Sequence, residues 1–400
     1  MSSADDSNHG IDVLWNRFFI LCMVNNLFLF TYYFALLTVL PIYIMKSLGG
    51  SISEAGLALT LFLMSSIAIR PFSGLLIEKI GKKRLFRGSA LFFVLIAFTY
   101  LIADQLWILL VVRFIHGVWF SILTTVTVPI VHAFIPHRRK GEGMGYFVMS
   151  TNLGVVFGPF IALTILQYFD FMTLFKVLIL MMVIGLIFCL ILPVYEDRLE
   201  KNLTPDKKST LSIHDIVEFK VIPIGLVALL TAFAYSSVMS FISTYAESKH
   251  LMSAVGLFFI IFAMSMLLVR PWVGKFFDRK GANFVIYPCF IFFIIGLVIV
   301  ALVSSQWTLW LAAVFIGVGY GSLFPCFQTV AIQSVSDERM GHSVATFFTL
   351  FDVGMAVGSI VMGVLIAHCG YSLTYLFCAF VMLITMLFYT TKVAPQLTPR

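Results

Sequence analysis

The sequence predicts an all-α membrane protein with twelve transmembrane helices in two pseudo-symmetric six-helix bundles. Three observations carry this. Apolar residues come in blocks long enough to cross a bilayer. Basic residues fall on one side of the resulting hairpins. The second half of the chain repeats the first at a fixed offset of 200 residues.

The blocks come first. Of 400 residues, 60% are hydrophobic and only 11% charged, whereas soluble domains carry roughly a quarter charged residues. No single water-soluble core hides so much apolar surface. A spanning helix needs about 20 mostly apolar residues. Such blocks lie at 17–43, 53–77, 85–103, 106–135, 142–167, 172–195, 221–246, 253–277, 283–304, 307–333, 341–367 and 370–391. A membrane β-barrel would show shorter alternating segments instead.

Charge placement sets the orientation. With a cytoplasmic N-terminus, 20 of the 26 Lys and Arg fall on cytoplasmic segments, as the positive-inside rule requires. Lys46, Lys176 and Lys249 lie at the outer side, and Arg70, Arg113 and Arg270 fall inside helices. The division expected is a cytoplasmic segment 1–16, a first bundle 17–195, a linker 196–220, a second bundle 221–391 and a tail 392–400. Both termini are then cytoplasmic, in a multi-pass protein of the plasma membrane. Ser212–Lys220 reads as a short surface helix. The polar, acidic start MSSADDSNHG is unlike a signal peptide.

The repeat is specific. Phe62–Gly81 and Phe262–Gly281 share Phe62/Phe262, Met64/Met264, Ser65/Ser265, Arg70/Arg270, Pro71/Pro271, Gly74/Gly274 and Gly81/Gly281. Glu78 stands opposite Asp278. Charged, Pro and Gly positions match, so shared hydrophobicity does not explain it. Gly117/Gly317, Arg139/Arg339, Gly154/Gly354 and Gly158/Gly358 continue the register. An even number of spans per repeat puts both halves in the same orientation.

Between the second and third spans the chain reads GLLIEKIGKK from Gly74, and its second copy reads GKFFDRKGAN from Gly274. Gly74 admits a close helix, Gly81 a tight reversal, and Glu78 suits a facing helix N-terminus. These residues resemble the loop signature of the major facilitator superfamily, G-x-L-x-D-R-x-G-R-K. Gly74, Leu76, Gly81 and Lys83 match, and Glu78 replaces the usual Asp. The resemblance covers Arg17 to about Thr391 and implies the major facilitator fold. It also implies a cytoplasmic gate built from Gly74, Glu78, Gly81 and Lys83, with Gly274, Asp278 and Gly281 as its second copy.

Three further places carry charge or kinks. Arg113 on the fourth span is costly in a bilayer unless it faces the interior, and His116 is one turn along. Arg113 and Gly117 resemble the family's R-x-x-x-G element, associated with proton transfer in antiporters. Gly154, Gly158 and Pro159 resemble the G-x-x-x-G-P element of export members, although the later glycines are missing; plain helix packing is the competing reading. Asp352, near the middle of the eleventh span, is the one acid away from loops and helix ends. Its counterpart is Asn152. Asp352, Arg113 and His116 are the expected proton-coupling set; the competing readings are an Arg113 that only hydrogen-bonds carbonyls of the first span, and an Asp352 that contacts a cationic substrate or is a structural acid paired with a cytoplasmic-side Arg or a helix terminus.

Asn25, Tyr32, Tyr33, Asn152, Tyr235, Ser236, Ser240, Tyr320 and Gln328 are the expected cavity lining. No cofactor or metal is expected: the six cysteines form no CxxC pair. Neither a phosphate loop nor a nucleophile constellation is present, so the chain reads as no enzyme and as driven by an ion gradient. No basic stretch suits nucleic acid. Partners are a small-molecule substrate, protons and the bilayer, with a monomeric chain. The function expected is proton-coupled export of a drug-like compound or metabolite, resembling the drug–proton antiporter branch. A dedicated exporter of a sugar, metabolite or metallophore, a proton–solute symporter for uptake, and a non-transporting scaffold or receptor remain open alternatives.

Overall fold

The computed structural model describes residues 13–50, 52–194 and 216–397. Most of the expected N-terminal segment and linker therefore lie outside the described residues. Among those described, the chain is almost wholly helical, with no strand. The long helices are α1 (Arg17–Ser47), α2 (Ile52–Ile80), α3 (Lys82–Thr99), α4 (Leu106–Ala133), α5 (Lys140–Tyr168) and α6 (Phe171–Ile191) in the first half. The second half has α7 (Ile222–Ser248), α8 (Met252–Lys280), α9 (Ala282–Ala301), α10 (Gln306–Gln333) and α11 (Met340–Phe388).

α11 holds two passes. Its 49 residues break once, at Gly370, where φ is 78° and ψ 171°. A straight helix would separate residues 362 and 378 by about 24 Å. Instead the Cys378 and Met362 sulfurs are 3.4 Å apart, so the two arms lie side by side. Only glycine takes that positive φ without strain. The second arm runs on through Tyr389–Val393 to Leu397, past the expected end at 391. The described part of the expected helix at Ser212–Lys220 holds a single 3₁₀ turn, Phe219–Val221.

Local chemistry sets the helix ends. The Asn16 side chain accepts from the Phe19 amide and donates to the Phe134 carbonyl at 2.9 Å, capping α1 and tying it to the end of α4. Asp170 caps α6; bonds from Thr173 hold its carboxyl below the usual carboxylate range. Ser305 and Thr308 make a reciprocal cap on α10. Gly81 and Gly281, with φ of 91° and 87°, let α2 and α8 reverse in one residue.

Packing follows the repeat. In the first half α5 lies on α1: a Cβ at Gly158 would stand 2.7 Å from the Ala35 nitrogen, and one at Gly154 equally close to Phe30 Cβ. In the second half Gly354 and Gly358 bring α11 against Leu229, Phe233 and Ser236 of α7. Both copies thus serve close helix approach. The halves meet where α2 packs on α11 and α5 on α8. Ile332, Met340 and Val344 join the first half's core there. This seam lies toward the end where Lys82, Lys83, Arg84, Arg138, Arg139, Arg279 and Lys280 gather, called here the basic end. At the opposite end Trp107 and Trp307 are 64% and 69% exposed, as an interfacial aromatic belt requires. Leu180, Ile187, Phe380 and Leu387 stand exposed on α6 and the outer arm of α11. A surface of that composition faces lipid.

The glycine contacts make a prediction. Gly158→Ala, which forces a methyl against backbone, is expected to lower stability by about 1–3 kcal/mol. Gly88→Ala, with nothing within 4 Å of its Cβ, is expected to raise it slightly through helix propensity. Thermal unfolding of the two purified variants measures the opposite signs.

Candidate functional site

The polar residues at the seam form two layers. In the outer layer, at the basic end, the Asp278 carboxylate accepts from the Gly141 and Glu142 amides at 2.8 and 3.0 Å. These are unsatisfied donors at the start of α5, so the acid caps a helix of the other half. Arg139 holds Glu142 in a two-pronged pair at 2.7 and 2.8 Å. A Cβ at Gly274 would stand 2.5 Å from Glu142 Cα. Glycine is therefore what lets α8 reach α5. A related close approach joins α2 to α11. Gly74 lies against the His342 backbone, and Glu78 Oε2 is 3.5 Å from His342 Nε2. Lys83 stands exposed in the turn after Gly81.

The inner layer lies two helical turns deeper, since Arg70 is eight residues before Glu78. Arg70 Nε lies 2.8 Å from Asp352 Oδ2, an ion pair between α2 and α11 and hence between the halves. Arg70 Nη2 is 3.4 Å from Ser66 Oγ, and the guanidinium sits 5.0 Å from the Phe348 ring centre. Arg70 was absent from the expected site residues. Its signal was present: it is one of the three basic residues inside spans, and it is repeated as Arg270.

The expected set of Asp352, Arg113 and His116 is split by the structure. Asp352 pairs with Arg70. Arg113, 1% exposed, stays within the first half. Its Nε lies 3.4 Å from the Ala58 carbonyl of α2, and its guanidinium 4.1 Å from the Phe62 ring centre. His116 Nδ1 is 3.2 Å from the Tyr100 hydroxyl, in a cage of Tyr32, Phe62, Phe93 and Tyr100. Tyr33 stacks on Phe120 at 4.9 Å and lies 5.3 Å from the Phe62 ring that also faces Arg113.

The expected cavity residues also divide. Asn25 does not line the seam; it donates to Cys189 Sγ of α6 at 3.3 Å, because Gly185 leaves room there. Tyr32 is packed among α3 and α4 aromatics. Ser236 is buried against Gly358 and bonds its own helix. Single sequence positions show polarity but not which helix face converges, which is why these three were misplaced. Tyr235 and Tyr320 stack with ring centres 3.4 Å apart, joining α7 to α10. Gln328 is buried on α10, Ser240 meets Ser359 of α11 at 3.2 Å, and Asn152 is half-buried on α5. Gly154 and Gly158 belong to the α1–α5 contact rather than to the seam, and Pro159 follows them inside α5. No group of three or more His, Cys, Asp or Glu that could hold a metal occurs among the described residues.

Two helical halves, with acidic turns at one end and an ion pair between them, are an arrangement that suits a membrane transporter. The sequence matches the Major Facilitator Superfamily over residues 22–359 and 289–400, and the chain belongs to that family. It is 23% identical over 343 residues to the multidrug resistance protein MdtG of Escherichia fergusonii, covering 82% of this chain and 81% of that one. It is 24% identical over 366 residues to MdtG of Proteus mirabilis, covering 87% and 89%. Its fold is similar to the human organic anion transporter MFSD10 (TETRAN), with TM-score 0.78 and 15% identity over 93% of this chain and 98% of that one. It is also similar to the transporter FucP in its outward conformation, with TM-score 0.75 and 14% identity over 94% and 98%.

The capping contact at Asp278 is testable. Asp278→Ala leaves the Gly141 and Glu142 amides without their acceptor, a loss of about 1–3 kcal/mol. Hydrogen exchange at residues 141–145 is expected to speed up about tenfold, with exchange in α6 unchanged.

Proposed function

We propose that this transporter exports a small organic compound, drug-like or metabolic, in exchange for protons, with the Arg70–Asp352 pair as its coupling element. The 2.8 Å ion pair across the seam is the observation that carries the reading. A proton on Asp352 removes the charge that Arg70 holds. The guanidinium is then buried without its counter-ion, which is strongly unfavourable. Proton arrival therefore weakens the seam, and proton release restores it. That links one chemical event to separation of the halves, as alternating access requires.

The basic end is taken as cytoplasmic, on the positive-inside rule. The seam contacts then close the cytoplasmic side. Glu78 and Asp278 are the gate residues, each facing the first turn of a helix in the opposite half. The relatives named for multidrug resistance support export over uptake and a drug-like or metabolic cargo. Tyr33, Tyr235, Tyr320, Gln328, Ser240 and Asn152 are the remaining candidates for cargo contact.

The test uses everted vesicles with an imposed pH gradient. Asp352→Asn is expected to insert normally and abolish uphill transport. Continued uphill transport with an unchanged pH dependence would remove Asp352 from the mechanism. Glu78→Ala is expected to slow turnover severalfold while leaving the amount of inserted protein unchanged; normal turnover would refute the gate.

A further inference from the structure

The repeat leaves one charge unmatched. Arg270 occupies in α8 the place of Arg70 in α2. Arg70 has Asp352; the position that would supply an acid to Arg270 is Asn152. Arg270 is 3% exposed, and its Nη2 has no hydrogen-bond partner among the described residues. The two acids toward the basic end are already engaged, Asp278 by the α5 amides and Glu142 by Arg139. The side chain runs along α5, with Cδ 3.1 Å from where a Cβ of Gly145 would stand. It borders a narrow cleft whose eight other lining residues include three glycines, Gly141, Gly145 and Gly274, and the apolar Val273, Phe277 and Cys326. The cleft has room for about one water, so a halide or carboxylate requires its side-chain walls to shift.

A buried guanidinium needs both a hydrogen-bond acceptor and a negative charge nearby. Water supplies the first only. A small anion supplies both, and a planar fork of donors suits a carboxylate as well as a halide. We propose that Arg270 is an anion-binding site, in which a single small anionic group sits between α5, α8 and α10 and replaces the missing carboxylate. The group is either a resident inorganic anion or the acidic end of the cargo. Because α5 and α8 belong to different halves, the bound anion adds to the seam the ionic contact that Asp352 provides on the other side. Neither the direction of transport nor proton coupling enters this inference.

Thermal unfolding of the full-length protein in lipid nanodiscs tests it, with sodium chloride, formate or acetate against sodium isethionate at equal ionic strength. Wild type is expected to gain about 3–5 °C at saturating small anion, rising with its concentration as ligand linkage requires. Arg270→Lys should keep a reduced response and Arg270→Gln none. Chloride acting alone identifies a resident inorganic anion, whereas formate and acetate acting without chloride identify a carboxylate of the cargo. Equal midpoints in every salt overturn the proposal, and so does an anion response that survives intact in Arg270→Gln. Bromide-soaked crystals of the wild-type protein need no variant. An anomalous peak in contact with the Arg270 guanidinium supports the site as a halide site, and its absence at saturating bromide, with no midpoint shift in formate or acetate, overturns the proposal.

Discussion

A guanidinium taken out of water needs its carboxylate close by. The Arg70 side chain is 6% exposed and that of Asp352 24%, so the guanidinium is the more fully desolvated partner and depends on its counter-ion. Arg70 and Asp352 come from different halves, so this rule binds the halves as well as the residues. Much of the neighbouring sequence serves their approach. Gly74 lets α2 close on the first turn of α11, Gly341 packs against Ile77, and Phe348 covers the guanidinium. The outer turns at Gly81 and Gly281 then place an acid at each helix start across the seam.

The two seams differ in a consistent way. Asp278 caps α5 through backbone amides, a contact that does not depend on any side chain of the opposite half. Glu78 instead meets the His342 imidazole. The acid of one seam is held by backbone amides, and that of the other lies beside an imidazole. The same contrast holds a layer deeper, where Arg70 has an acid and Arg270 has Asn152 at the equivalent place.

The fold was legible because bilayer crossing is a constraint on composition and length, and both are visible in one sequence. The repeat offset gave the pairing of halves for the same reason: matched Arg, Pro and Gly residues survive only where geometry demands them. The site was legible in part. Asp352 stood out as a mid-span acid, but its partner did not, since Arg70 reaches it from a helix 282 residues away in sequence. Arg113 lay closer to expectation in depth than in company. Asn25 and Tyr32 show what remained hidden. Which face of α1 meets α3 and α6, and which meets the seam, depends on helix rotation, and polarity alone does not encode it. The extension of the outer arm past residue 391 was likewise invisible, because a polar helical end and a polar tail read the same.

The break at Gly370 has a mechanical consequence. One arm of α11 carries Asp352 at the seam, and the other presents Phe380 and Leu387 toward lipid. They are joined by a single residue in place of a loop, so there is no slack to absorb sliding of one arm past the other. Axial displacement of the seam arm is passed directly to the outer arm, while rotation about the joint is left free. A helix mounted in this way tilts more readily than it pistons. The position of its lipid-facing arm is then a readout of the seam from the outside of the molecule.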